Sequence, residues 1–251
     1  LGETVRSGRL LIHLTAEPAG KAAVLPLLTE LPARYPAGGK GEPRFRFAEE
    51  IKREGFGSAS RVNYVARIGN FRTGGFRYTG ALRIAQTMLS YGYLWNEIRS
   101  KGGAYGCAVR FGRGGSVVFS SYRDPKLEET DKVYEGVPGY LEQYEADERE
   151  MTKAVIGAIG EMDTPRTPQL SGLLALSAYY SKVTDEMFAK ERAEVLAATP
   201  EDIRALAPLV REALKYEAKC VIGNEGAIAR AKDFFTETAQ LFAAESEETE
   251  A

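Results

Sequence analysis

Residues 104–123, AYGCAVRFGRGGSVVFSSYR, most constrain what this chain can fold into. Two runs rich in branched and aromatic residues flank GRGG. Its glycines tolerate the positive φ that a tight reversal between antiparallel strands demands. The fold must therefore contain a β-hairpin. Residues 78–101 precede it, and there Leu82, Ala85, Leu89, Leu94 and Ile98 recur at helical spacing. Helical segments dominate the chain after the hairpin, from PKLEETDKVYEGVPGYLEQY to TPEDIRALAPLVREAL. Asp147 is placed to cap the second of them. Thr199, Pro200 and Asp202 form the start signal of the last, with a capping side chain, a proline at the first helical position and a carboxylate at the third. Asp124 and Pro125 carry the same kind of signal at the end of the hairpin.

Further strands are predicted at residues 9–15 (RLLIHLT), within SASRVNYVARIGNF and at KYEAKCVIGN, and a final helix over EGAIARAKDFFTETAQLF. Strict alternation of strand and helix is absent, so a doubly wound parallel sheet is disfavoured. The pattern predicts an α+β fold, a mostly antiparallel sheet with helices packed beside it. PAGGKGEPRFRFAEE, rich in glycine, proline and charge, reads as a linker. It divides the chain into residues 1–36 and residues 37–251. The strand–turn–helix plan of residues 9–28 returns in AKCVIGNEGAIARAKDFF, where it closes the second part. Residues 1–36 then read as the closing pair of a preceding domain. The acidic tail AAESEETEA reads as a fraying end.

Several functions are excluded early. The 33 basic and 35 acidic residues are interspersed, which gives no electrostatic case for nucleic acid or an anionic membrane as partner. No apolar run approaches the roughly 20 residues needed to span a bilayer, and the first residues lack the pattern of a signal peptide. GKGEP, RTGG and GRGGS lack the lysine and hydroxyl that complete a phosphate loop, and GFGSAS leads into a strand rather than a helix. Cys107 and Cys220 stand far apart in apolar runs and read as buried free thiols, which points to a reducing, cytoplasmic compartment. His13 is the sole histidine. A zinc site asks for three or four ligands, and a Ser-His-Asp system would have to use His13 from mid-strand. A structural histidine is the expectation, and no metal or catalytic residue is assigned to this chain.

The stretch WNEIRSKGGAYG, residues 95–106, invites two readings. In one, Arg99 is a surface cation in the last turn of a helix, Gly102 and Gly103 stop it, and Tyr105 half-buries at the start of a strand. In the other, the guanidinium of Arg99 and the hydroxyl of Tyr105 point into one space. There they hold a peptide carbonyl or the oxyanion that forms when it is attacked. Asn63 has two readings as well, a hydrogen bond to substrate or to a neighbouring loop. Tyr179 and Tyr180 read as helix packing.

LWNEIRSKGGAYG, with FGRGGSVVFSSYRDP after it, closely resembles the C-terminal portion of the insulinase/pitrilysin-type zinc metallopeptidases, and within them the presequence protease branch. The likeness is carried by Leu94, Trp95, Ile98, Arg99, Lys101 to Gly106, and Ser121 to Pro125, with VNYVARIG similar to that branch's entry strand. It covers most of the chain from about residue 43. Such enzymes are built from four similar α+β domains, arranged as two halves around a chamber. The resemblance implies that zinc is held by an H-x-x-E-H motif in the N-terminal half, and that an Arg and a Tyr of the C-terminal half reach the bound peptide. By motif position these are Arg99 and Tyr105. With one histidine this sequence holds no H-x-x-E-H. It is then expected to bind no cofactor itself, to partner the N-terminal half of the same peptidase, and to wall a chamber for unfolded peptides. The alternative is a non-catalytic structural or assembly homologue of the same fold. An unrelated peptide-binding module is a third option.

Overall fold

A computed structural model describes residues 6–38 and 50–242. In chain order its regular elements are α1 (Pro18–Glu30), β1 (Arg53–Ser58), β2 (Asn63–Asn70), α2 (Ala81–Met88), β3 (Gly106–Phe111), β4 (Ser116–Asp124), α3 (Glu128–Glu142) and α4 (Glu148–Met162). Then come α5 (Pro168–Ser181), α6 (Asp185–Leu196), α7 (Pro200–Arg204), α8 (Ala207–Leu214), β5 (Ala218–Asn224), α9 (Glu225–Arg230) and β6 (Glu237–Gln240). The chain divides into two compact units. One comprises Leu1–Glu49 with Asp163–Phe188, the other Glu50–Met162 with Ala189–Ala251. Most of the linker stretch and the acidic tail lie outside the described residues.

The larger unit carries the expected α+β fold. Its six strands run in the order β3-β4-β2-β5-β1-β6. β3, β4, β2 and β5 are antiparallel to one another in turn, while β1 is parallel to both β5 and β6. The GRGG reversal forms as expected. Gly115 takes φ 99°, and the N–H of Gly112 donates to the carbonyl of Ser116 at 2.8 Å.

One face of the sheet is covered by helices and the other is open. Val65, Val109, Phe119 and Val221 point to the covered face and pack with Leu82, Ile84, Leu89, Leu94, Ile98, Tyr134, Leu141, Ile203 and Val210. The rings of Phe119 and Tyr134 stack at 5.1 Å. At Gly69 a Cβ would run into the carbonyl of Ala213, so β2 meets α8 at backbone contact and only glycine fits there.

β2 also carries Arg67 to the buried face, only 3% exposed. Its guanidinium donates to Asp131 at 3.0 Å, to Glu135 at 2.8 Å and to the carbonyl of Leu214 at 2.9 Å. Lys219 on β5 donates to the same Asp131 at 2.6 Å. Two cations and two carboxylates thus tie β2 and β5 to α3, a balance without which a buried arginine would be strongly destabilising.

Glu191 on α6 is 4% exposed and accepts from Arg83, from Arg113 and, at 3.0 Å, from the hydroxyl of Tyr78. Burial alone would push its carboxyl up. The hydrogen bonds and charges of the two arginines outweigh that and hold its pKa below the usual 4.5. Burial, with the charge of Glu191, pushes the Tyr78 phenol up to about 12.

The caps predicted at Asp147 and Thr199 are present. Glu150 N–H donates to Asp147 Oδ1 at 2.8 Å, and Thr199 and Asp202 form a reciprocal box. Asp124 departs from expectation. It ends β4 and does not cap the helix directly. Its carboxylate accepts from Lys126 N–H at 2.9 Å and from Thr130 Oγ1 at 2.7 Å, and so fixes the turn before α3.

Three strand assignments are corrected. β1 lies just after the stretch read as linker, where no strand is predicted, because Gly55 and Gly57 are required where α9 and Phe235 press on the strand. The last predicted helix stops at Arg230, and residues 237–240 instead add an edge strand to β1. In the smaller unit residues 9–15 form no strand. Ser7–Arg9 is a short 3-10 turn, and residues 11–16 make no backbone hydrogen bond among the described residues. His13 is exposed there, beside Thr15, and both side chains lie close to Gly172 of α5.

Candidate substrate-binding site

The helix that begins as α2 does not stop at Met88. It continues through wider π-helical turns at Leu89–Tyr93 and Trp95–Ser100. Such turns insert an extra residue per loop and rotate the side chains beyond them. Here they bring Arg99 over the indole of Trp95, with the guanidinium carbon 3.8 Å from the ring centre. Stacking of this kind is worth about 0.5–1 kcal/mol at an exposed site and fixes the plane of the guanidinium. Among the described residues the Arg99 guanidinium has no hydrogen-bond or ion-pair partner, so its donors are available.

The two glycines serve different ends. Gly103 adopts φ 85°, the left-handed geometry that ends the helix, and its N–H donates to the carbonyl of Arg99 at 2.9 Å. Gly102 is needed for closeness instead, since a Cβ there would strike the carbonyl of Ile98. Ala104 N–H donates back to that same carbonyl at 3.1 Å, and Tyr105 N–H donates to the carbonyl of Tyr122 at 3.1 Å. The turn is therefore pinned at both ends, to the helix and to β4.

Tyr105 is 64% exposed and rests edge-on against Tyr122, ring centres 5.5 Å apart. Tyr122 in turn meets Tyr64 at 5.3 Å in the same edge-to-face manner. No direct contact joins Arg99 to Tyr105 among the described residues. They are presented separately, by a helix end and by the turn after it, six residues apart in sequence.

Asn63 belongs to the frame. It is 1% exposed, donates to the carbonyl of Asp124 at 3.1 Å and accepts from Asn224 N–H at 3.0 Å. Of its two sequence readings the neighbouring-loop one holds. Tyr179 and Tyr180 are both more than half exposed, so helix packing does not describe them.

The two thiols are half-buried rather than buried. Burial, with the charge of Asp124, pushes Cys107 up to about 11 against the opposing pull of Arg99, and Cys220 is also raised by burial. Both are protonated at neutral pH and poor nucleophiles. Among the described residues no three His, Cys, Asp or Glu side chains gather to hold a metal ion, and none of their helices is long and apolar enough to cross a membrane. Sequence reasoning missed Trp95, Tyr122 and Tyr64 as neighbours of the site. Their contacts depend on π turns and strand register, which no local pattern encodes.

A family model described as the PreP C-terminal domain matches residues 53–225. Protein HypA of Clostridium perfringens (strain 13 / Type A) is 44% identical over 191 residues, which is 76% of this chain and 20% of that protein. Presequence protease 1, chloroplastic/mitochondrial, of Arabidopsis thaliana is 32% identical over 161 residues, 64% of this chain and 15% of that protein. The chain therefore spans a fifth or less of the length of these curated relatives. Among solved structures, the peptidase M16 inactive domain from Pseudomonas fluorescens superposes with a TM-score of 0.54. It is 15% identical, and the match covers 80% of this chain and 50% of that one. At that identity the likeness speaks for the fold alone.

Proposed function

Since the chain belongs to the PreP C-terminal domain family, we propose that it is the substrate-gripping end of a zinc-dependent peptidase whose metal is held elsewhere in the full-length protein. Arg99 and Tyr105 are the residues assigned to the peptide. The observation that carries this reading is the state of Arg99, a guanidinium oriented by Trp95 yet left with unused donors. A structural arginine is ordinarily consumed by carboxylates or carbonyls, as both terminal nitrogens of Arg67 are. Donors fixed in place beforehand are what stabilises charge developing on a carbonyl oxygen. Tyr105 adds a neutral O–H donor at an exposed position.

Zinc, where present, supplies the Lewis acid and the activated water. The residues here bind and orient the peptide. The partner is the N-terminal half of the same polypeptide, and the substrate is unfolded peptide confined between the halves. Residues 1–36 are assigned to the preceding domain. Their support is residues 11–16, without backbone partners among the described residues, and their likeness in plan to β5–α9, where the equivalent strand lies between two neighbours.

The test is made on the full-length protein. Deleting residues 37–251 is expected to leave zinc bound and to abolish hydrolysis of unfolded peptides. A truncated protein that hydrolyses them at the original rate contradicts the reading. A full-length protein without an upstream H-x-x-E-H and without zinc supports the structural-homologue alternative.

A further inference from the structure

The open face of the sheet carries a second pattern beside Tyr105. Strand register lines up its side chains in rows that cross the strands. The row nearest Tyr105 runs Tyr122, Tyr64, Ile222 and Phe56, on β4, β2, β5 and β1. The next row is small throughout, Ala108, Ser120, Ala66 and Cys220. A third row holds Val118 and Ile68. Residues two apart on a strand are roughly 6.7 Å apart, so the aromatic and aliphatic rows stand about 13 Å from each other across a floor of small side chains.

Tyr64, Tyr122 and Ile68 are each more than 40% exposed. Contiguous exposed apolar surface of this kind marks a binding surface. Charged side chains border these rows only at the ends, Arg110 beside Val118 and Glu54 beside Cys220.

The edge of β3 offers no alternative route. Val109 and Phe111 have their N–H groups capped by Ser90 Oγ and Gln86 Oε1, each at 3.2 Å. An extended peptide adding as a strand there would find those two donors taken, which favours recognition next to Tyr105 through side chains on the open face.

We infer that Tyr122 and Tyr64 form an apolar subsite beside Tyr105, and that the preferred peptides carry an aromatic or branched aliphatic side chain near the gripped carbonyl. This rests on the reading of Arg99 and Tyr105 as peptide-binding. Tyr122 touches Tyr105 directly, so a side chain seated on Tyr122 lies next to the hydroxyl that meets the carbonyl. Edge-to-face ring contacts hold the two tyrosines upright, and a hydrophobic subsite of this size discriminates by one to two orders of magnitude.

The experiment uses the full-length protein and two peptides of equal length and charge, one with Phe or Leu at a single site and one with Ser there. The ratio of their kcat/KM values is expected to fall about tenfold in Tyr64→Ala/Tyr122→Ala, and to be restored in Tyr64→Phe/Tyr122→Phe, which keeps the rings. An unchanged ratio overturns the inference. So does an equal loss for both peptides with a lowered melting temperature, which would mean that another domain covers the face. Arg99→Ala and Tyr105→Phe are measured alongside. If they leave both peptides unaffected, the underlying reading fails. If they slow both while the alanine pair leaves the ratio intact, only the subsite fails.

Discussion

Two arginines of this chain show how one residue type serves opposite ends. Arg67 is buried with every nearby charge matched, and Arg99 stands on Trp95 with its donors unspent. The sequence singles out Arg99 by motif resemblance and leaves Arg67 as one arginine within a strand pattern. Arg67 sits in a strand whose alternation is plain, but the alternation does not say which face is buried. Tyr64 and Ile68 turn out to be the open side. Glu191 is a third case. It falls in a helix rich in charged residues, yet it is nearly inaccessible, with Arg83 and Arg113 converging on it. Its lowered pKa makes a directional prediction. A carboxylate whose folded pKa is depressed adds stability that is complete above the ordinary value and is lost as pH falls through the folded one. Thermal unfolding of the chain is expected to show stability lost below about pH 4.5, with part of that loss absent in Glu191→Gln. At neutral pH Glu191→Ala is expected to destabilise by about 3–5 kcal/mol, because two part-buried guanidinium groups lose the carboxylate they share. Parallel pH curves for wild type and Glu191→Gln would contradict this.

At the scale of elements, the hairpin, the helix entering the site and the capped helices were legible, because each depends on residues close in sequence. Thr199 with Asp202 and Asp147 with Glu150 are each complete within one helical turn. The misread elements depend on distant partners. β1 is glycine-rich because α9 and Phe235 press on it, and β6 is a short polar edge that exists by pairing with β1. Residues 11–15 are the reverse case, part of a strand-like run that pairs with no strand among the described residues. An apolar run with idle backbone groups is complete only between neighbours. Hydrogen exchange on the full-length protein is expected to show slow amides at residues 11–16, comparable to those of β5. Fast exchange there would mean that the segment is a linker and that residues 1–36 close no preceding domain.

For the whole molecule, the α+β class and the assignment of Arg99 and Tyr105 were drawn from the sequence. The class came from the order of elements, the assignment from motif resemblance. What remained hidden was the setting. The π turns that put Arg99 on Trp95 and the tyrosine row behind Tyr105 arise only when helix and sheet are assembled. The central claim is that this domain grips a peptide for chemistry performed by a zinc it does not hold. The most direct measurement is peptide turnover by full-length Arg99→Ala and Tyr105→Phe, with bound zinc quantified in the same samples. Loss of one such donor lowers kcat by about 10²-fold where it stabilises a developing oxyanion. A fall of that order is predicted in both variants, with zinc content unchanged. Wild-type turnover in both variants would contradict the claim.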